Sequence, residues 1–234
     1  MTTKPRTLLA LGGIVLLALL ATGCSSESGT GNDTVETKSF AFSGENLTVT
    51  SLSSDLDLIS ADVDEIQVVR ATSGGVVGAE PVSVWQLDGN TLTLDQSCTG
   101  VSINCSARFT VKVPRNVTLS AENDGGLIKA TGFTTELSMK TKDGDIDGEQ
   151  ISAKSVTTST RNGNVQLNFG TVPDLVNVQS QDGNIHLALP KATYAVDTST
   201  KKGDVTVNVA TDAGSAHAVK AQSRNGDITV EKAP

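Results

Sequence analysis

Lys142-Asp143-Gly144-Asp145-Ile146 reads as a tight corner between two short strands. Versions of it return as Arg161-Asn162-Gly163-Asn164-Val165, Gln181-Asp182-Gly183-Asn184-Ile185, Lys201-Lys202-Gly203-Asp204-Val205 and Arg224-Asn225-Gly226-Asp227-Ile228. The glycine recurs at Gly126, Gly144, Gly163, Gly183, Gly203 and Gly226, at spacings of 18, 19, 20, 20 and 23 residues. Aligned on it, the flanking columns fall into register. Seven residues before it stand Leu119, Leu137, Val156, Val176, Val196 and Val219, and five before it Ala121, Met139, Thr158, Val178, Thr198 and Ala221. Three before it are Asn123, Thr141, Thr160, Ser180, Thr200 and Ser223. Two after it come Ile128, Ile146, Val165, Ile185, Val205 and Ile228, and four after it Ala130, Gly148, Leu167, Leu187, Val207 and Val230. A period of two on both sides of the glycine marks two strands, each with one buried face. A further copy, with Ser54 in the glycine's place, runs from Leu47, Val49 and Ser51 to Leu56 and Leu58.

Each repeat is too small to bury its own face, so neighbouring copies must stack. Two geometries would satisfy this. Asp143-Gly144, Asn162-Gly163, Asp182-Gly183 and Asn225-Gly226 are good hairpin-turn dipeptides, which suit an antiparallel meander. In a β-solenoid the same glycine takes a corner with positive φ, and each residue lies about 4.8 Å from its equivalent. Hairpins constrain partners within a repeat, whereas matched types between repeats follow when equivalents stack. The Ser/Thr column is the clearest match, because small hydroxyls fit inside a narrow coil and bond to one another or to backbone. The columns therefore predict an all-β, single-stranded solenoid of short coils. Residues 60–108 depart from the repeat and carry their own hairpin signal, Asp88-Gly89-Asn90, as an irregular or capping section.

Val111-Lys112-Val113-Pro114, followed by alternating strands and the units Gly144-Asp145-Ile146, Gly163-Asn164-Val165, Gly183-Asn184-Ile185, Gly203-Asp204-Val205 and Gly226-Asp227-Ile228, resembles the bacterial adhesin-type domains of unknown function. The resemblance covers roughly residues 40–232. It implies a right-handed parallel β-helix displayed at the cell envelope, and it brings no catalytic residues with it.

The N-terminus agrees with export. Lys4 and Arg6 precede an apolar run from Leu8 to Ala21, which falls short of the ~20 apolar residues of a membrane span. Leu20-Ala21-Thr22-Gly23-Cys24 resembles a lipobox, in which small residues admit the peptidase and the Cys24 thiol accepts a diacylglycerol. The reading is a signal peptide over 1–23, a lipidated Cys24 with a flexible tether over 24–36 (Ser25–Glu36 is rich in Ser, Gly and acidic residues), and a folded domain over 37–234. Removing residues 1–23 takes away Lys4 and Arg6 and no acidic residue, leaving 16 basic against 26 acidic and a net charge of −10. An acidic surface argues against nucleic acid, which needs clustered Lys and Arg. Attachment would then rest on acyl chains, at about 0.8 kcal/mol per buried methylene. Of the remaining cysteines, Cys98 and Cys105 flank six residues and in an oxidising compartment would close a disulfide loop worth roughly 2–3 kcal/mol. A metal or redox pair is the competing reading, without CxxC spacing or a nearby His to support it.

The post-glycine column of Asp145, Asn164, Asn184, Asp204 and Asp227 poses the question of chemistry. Stacked carboxylates collect calcium, and Asp143, Asp145 and Asp147 are the densest set of oxygen ligands. Neither a glycine-rich calcium repeat nor an EF-hand spacing is present, and Asn between the acids builds amide ladders without metal. For an enzyme of the polysaccharide-acting β-helix kind, the chain offers seven aromatics, a single Trp85 and two isolated histidines, His186 and His217. His186 is expected on the outer face and His217 in a loop. Nucleophile elbows, metal-ligand His pairs and phosphate-cradling loops are missing from the sequence. The expectation is a non-enzymatic, cofactor-free envelope lipoprotein whose partners are membrane lipid, through Cys24, and a protein or glycan at the surface. The alternatives are an envelope-stress or signalling accessory that binds another membrane protein, and a polysaccharide-acting enzyme.

Overall fold

Runs such as Val165-Gln166-Leu167-Asn168-Phe169 put every second side chain on one face, and their Thr, Val and Ile favour extended backbone. The computed structural model describes residues 34–77, 82–97 and 101–233, and among these the regular structure is all β. The first seven strands are β1 (Thr34–Phe40), β2 (Asn46–Ser51), β3 (Asp55–Ala61), β4 (Ile66–Val77), β5 (Val82–Asp88), β6 (Thr91–Ser97) and β7 (Val101–Pro114). The repeats supply β8 (Thr118–Gly125), β9 (Ile128–Thr131), β10 (Leu137–Asp143), β11 (Ile146–Ile151), β12 (Ser155–Asn162), β13 (Val165–Phe169), β14 (Leu175–Asp182) and β15 (Ile185–Leu189). The chain continues through β16 (Thr193–Lys202), β17 (Val205–Val207), β18 (Ala210–Thr211), β19 (Ala218–Asn225) and β20 (Ile228–Lys232).

Among the described residues these strands make two ten-stranded sheets. Sheet A runs β1-β4-β7-β3-β9-β11-β13-β15-β20-β17, and sheet B runs β18-β16-β19-β14-β12-β10-β8-β2-β6-β5. Each glycine corner carries the chain from sheet B to sheet A, so the two strands of a repeat lie in different sheets. That excludes the hairpin meander for the repeats. Equivalent residues pair in parallel instead: Leu137 lies opposite Leu119 and Val156, and Ile146 opposite Ile128 and Val165. The Ser54 copy obeys the same register, with Leu47 opposite Leu119 and Leu56 opposite Ile128. Both sheets are mixed because β1, β4, β7, β5 and β6 add antiparallel pairs at one end. The Asp88-Gly89-Asn90 signal is the turn of the β5–β6 hairpin, with Asp88 opposite Thr91 and Gly89 at φ 54°. The described part of residues 60–108 thus lies at one end of the stack.

The stacking order departs from the sequence order at both ends. Neighbouring repeats were expected to stack in turn, which would lay β16 on β14. Instead β19 lies between them, with Leu175 and Ala195 both opposite Ala218, and β20 lies between β15 and β17. At the other end β2 and β3 sit between the β8–β9 and β6–β7 coils. The columns specify what stacks on its equivalent, and any repeat with matching columns can serve as the neighbour.

The inward columns make one continuous core. Leu119, Leu137, Val156, Val176 and Val219 from sheet B meet Ile128, Ile146, Val165, Ile185 and Ile228 from sheet A, all essentially without solvent contact. At the corners the constraint is backbone against backbone. A Cβ added to Gly144, Gly163, Gly183, Gly226 or Gly203 would overlap the carbonyl oxygen of the glycine one coil away: Gly126, Gly144, Gly163, Gly183 and Gly226 in that order. Positive φ is therefore the lesser reason for glycine here, although Gly126 (97°) and Gly203 (140°) require it too. Gly163→Ala should cost about 2–3 kcal/mol or more, read from the urea midpoint, because neither carbonyl column can yield without opening the coil. Gly170→Ala, where a Cβ would meet Ser152 Oγ at 3.4 Å, should stay within about 1 kcal/mol.

Candidate functional site

The corner columns are hydrogen-bonded ladders. In the post-glycine column four of the five side chains accept a backbone N–H from the next coil: Asn164 N–H donates to Asp145 Oδ1 (2.7 Å), Asn184 N–H to Asn164 Oδ1 (2.9 Å), Asp227 N–H to Asn184 Oδ1 (2.8 Å) and Asp204 N–H to Asp227 Oδ1 (2.8 Å). The column three residues before the glycine does the reverse. Thr160, Ser180, Ser223 and Thr200 donate their hydroxyls to the carbonyls of Gly144, Gly163, Gly183 and Gly226, at 2.9–3.1 Å. Thr141 is the exception, its hydroxyl buried without a partner; the carbonyl it would reach belongs to Gly126, whose φ of 97° turns that corner differently. One residue before the glycine, Asn162 Nδ2 donates to Asp143 Oδ1 and Asn225 Nδ2 to Asp182 Oδ1.

These bonds engage two of the three calcium candidates. Asp143 holds Asn162, Asp145 holds Asn164, and Asp147 points to the outer face of sheet A. Among the described residues, no three His, Cys, Asp or Glu side chains converge as a metal site.

The outer face of sheet A is where polar side chains gather without being required by the corners. Register places Asp57, Lys129, Asp147, Gln166, His186, Thr229 and Thr206 in one row across seven strands. Glu149, Asn168 and Glu231 flank it. Lys129 Nζ reaches Glu149 Oε1 at 3.0 Å, which raises the lysine's pKa. His186 Nε2 lies 2.9 Å from Glu231 Oε1, so this histidine is outward as expected but paired rather than merely solvated. Burial pushes the Asp147 carboxyl above the ordinary carboxylate range, the Glu149 charge adds to this and Lys129 opposes it; its Oδ1 is enclosed without a partner. His217 lies in the bend before β19, with Nδ1 2.9 Å from the Pro173 carbonyl and 3.4 Å from Asp174 Oδ1.

Sequence reasoning missed the plug at the β1–β4–β5 end. Arg70 follows Ile66 and Val68 at an inward position of β4 and is only 9% exposed. Its guanidinium binds Glu36 Oε2 (2.6 Å) and Ser83 Oγ, and lies 4.8 Å from the Trp85 ring, which meets Phe109 edge-on at 5.6 Å. The available signal was a charge on the buried side of an alternating strand, together with the chain's one Trp. At the opposite end, an open groove of about 640 Å³ runs over Leu175, Ala218 and Ala195 beside Thr211 of β18 and the turn at Asp212 and Ala213. Cys24 and Cys98 lie outside the described residues; of Cys105 only the backbone, in β7, is described.

A family profile, the Toastrack DUF4097 domain, matches residues 43–232. Among solved structures, a candidate cell-adhesion protein from Clostridium sporogenes aligns over 86% of this chain and 99% of its own, with TM-score 0.50 and 13% identity. A candidate adhesin from Bacteroides fragilis aligns over 85% and 97% (TM-score 0.49, 13% identity), and a candidate lipid-binding protein from Parabacteroides distasonis over 86% and 98% (TM-score 0.37, 14% identity). At such identity the likeness to the first is one of fold alone. No curated protein matches the sequence.

The raised pKa of Asp147 has a sign that can be measured. Between its ordinary value of 3.8 and its raised value the folded chain holds this proton more firmly than the unfolded chain, so stability falls as pH rises through that window. Asp147→Asn should therefore raise the urea midpoint at pH 7, and the gain should shrink as the pH is lowered toward 3.8.

Proposed function

The chain belongs to the Toastrack DUF4097 family, and from that premise we propose that it is a non-enzymatic binding module of the cell envelope. In this reading Cys24 carries the lipid that holds it outward on the membrane, residues 24–36 are the tether, and residues 37–234 form a right-handed β-solenoid. Its outer face would engage a surface polymer, glycan or protein.

The observation that carries the reading is the outer face of sheet A. The inward columns and the corner ladders account for the fold, whereas Gln166, Asn168, His186 and Glu231 stand on parallel strands, in rows fixed by the register. Amide, imidazole and carboxylate groups held at strand spacing on a rigid scaffold present donors and acceptors to an extended partner without an ordering cost at binding. The acidic balance of the chain favours partners recognised by hydrogen bonds over phosphate-rich ones. The description of the Clostridium neighbour as a candidate for cell adhesion agrees with this use of the fold.

The test is crosslinking of the full chain on intact cells, followed by identification of what is captured. Wild type should retain a surface polymer or protein, and Gln166→Ala combined with Asn168→Ala should reduce capture about tenfold, the loss of one or two good hydrogen bonds, with unchanged thermal melting. Cys24→Ala should appear in the medium. Equal capture by the outer-face variant would remove sheet A from the role, and cleavage of a polysaccharide by the purified chain would restore the enzyme reading.

A further inference from the structure

We propose that the open end of the stack is a docking edge for a second copy of this chain, β16 pairing antiparallel with β16 of the partner copy about a two-fold at Ser199. The two ends of the stack are finished differently. Arg70, Trp85 and Phe109 close the inner side of the β1–β4–β5 end, whose exposed valines, Val35, Val82 and Val84, alternate with the inward Glu36, Ser83 and Trp85. At the other end Val205 is 43% exposed, and Val196, Val207 and Val209 are only partly covered, although the matching Val176, Ile185 and Leu187 of interior coils are buried. The last coil has an inner face and a backbone edge with no described strand beyond most of it.

The backbone specifies how that edge can pair. Ala195 N–H donates to the His217 carbonyl on the β19 side (2.8 Å), while the Tyr194 carbonyl accepts Asp212 N–H on the β18 side (2.9 Å). Successive residues of a strand alternate in direction, so Val196, Thr198 and Thr200 aim their amides and carbonyls away from β19. β18 covers Thr193 and Tyr194 alone, and the Lys202 carbonyl turns back to accept Gly226 N–H (2.8 Å), which leaves Val196, Thr198 and Thr200 facing the seam. An antiparallel mate about Ser199 sets Thr198 opposite Thr200 of the partner copy, both with their hydrogen-bonding groups facing the seam.

Charge selects the Ser199 register. Asp197, Ser199 and Lys201 are exposed on the outer face of β16. Pairing about Ser199 puts Asp197 opposite Lys201 of the partner copy, twice over by symmetry. Centres at Asp197, Thr198, Thr200 or Lys201 also align the backbone groups, yet the first and last oppose Asp to Asp or Lys to Lys, and the middle two set Asp197 or Lys201 opposite Ser199 with no ion pair. A two-fold perpendicular to the sheets also brings Val205 and Val207 toward their counterparts across the seam, burying the apolar rim. The sealed ends then lie at opposite extremes of the pair.

Sedimentation of the full chain in mild detergent across a concentration series tests this. Wild type should show a concentration-dependent dimer. Lys201→Asp should weaken it about tenfold or more, and adding Asp197→Lys to that variant should restore it to near the wild-type level. Thermal melting of each variant reports folding independently. Ser199→Cys should form an intermolecular disulfide on oxidation, because directly opposed non-hydrogen-bonded residues lie about 4.5 Å apart; Gln179→Cys, in the same outward row on β14, should not. A chain that stays monomeric at its highest soluble concentration overturns the proposal, and so does a dimer indifferent to both the charge reversal and its rescue.

Discussion

The close approach of glycine backbones at the corners is the contact on which the rest of the molecule depends. With Gly144 against the carbonyl of Gly126, Gly163 against that of Gly144, and so on along the stack, nothing larger than hydrogen fits between successive coils there. The corners therefore stack without offset, and the flanking strands must meet their equivalents in register. Register in turn sends Leu137 onto Leu119 and Val156 rather than onto Ser138 or Thr157, since a one-residue slip would turn the apolar column outward. The polar ladders fall into place from the same spacing. A hydroxyl three residues before the glycine reaches the carbonyl one coil away, and a carboxyl or amide one residue after it reaches the next amide.

Those ladders explain why so polar a corner is compatible with a narrow core. A buried hydroxyl without a partner is costly, and Thr160, Ser180, Ser223 and Thr200 each find one in a glycine carbonyl that the turn would otherwise leave open. In the column before the glycine Asp and Asn alternate, where two acids in contact would repel, and the amide donates to the carboxylate between Asn162 and Asp143 and between Asn225 and Asp182. Ion pairs on the outside, such as Arg115 with Asp62, are fully exposed and add little to this.

The columns were legible because they record this contact directly: glycine, hydroxyl, aliphatic residue and Asx each answer a fixed neighbour one coil away. The Ser54 copy and the Asp88-Gly89-Asn90 hairpin were legible for the same local reasons. The order of the coils was not, because Val196 and Val219 satisfy the Val176 column equally well, and the register alone does not say which docks first. One trace of the answer was present. Read as Asp143, Asn162, Asp182, Asn225, Lys202, the residue before the glycine alternates acid and amide along the stack, whereas sequence order breaks that alternation at Lys202. The Arg70–Trp85 plug was hidden for a different reason. A buried guanidinium is intelligible only once Glu36, Ser83 and the Trp85 ring have been brought to it from three separate strands.

The exchanged order also settles what an end coil must withstand. A coil at the edge of a stack has one neighbour and tends to open, and a free edge invites indiscriminate pairing. Here the edge coil formed by β16 and β17 is not the last in sequence order: the chain leaves it through β18, returns beneath it as β19 and β20, and so holds it from below by strands that come later in the chain. The β6–β7 coil at the other end is likewise held against β2 and β3, strands that precede it. Sealing is then a separate matter from holding. One end adds antiparallel strands and an arginine under a tryptophan; the other keeps valines at its rim and an alternating Asp, Ser, Lys face along β16. An edge held in shape from below, with no described strand beyond most of it, has the rigidity that specific strand pairing requires, and its charges favour one register where a bare aliphatic edge would favour none.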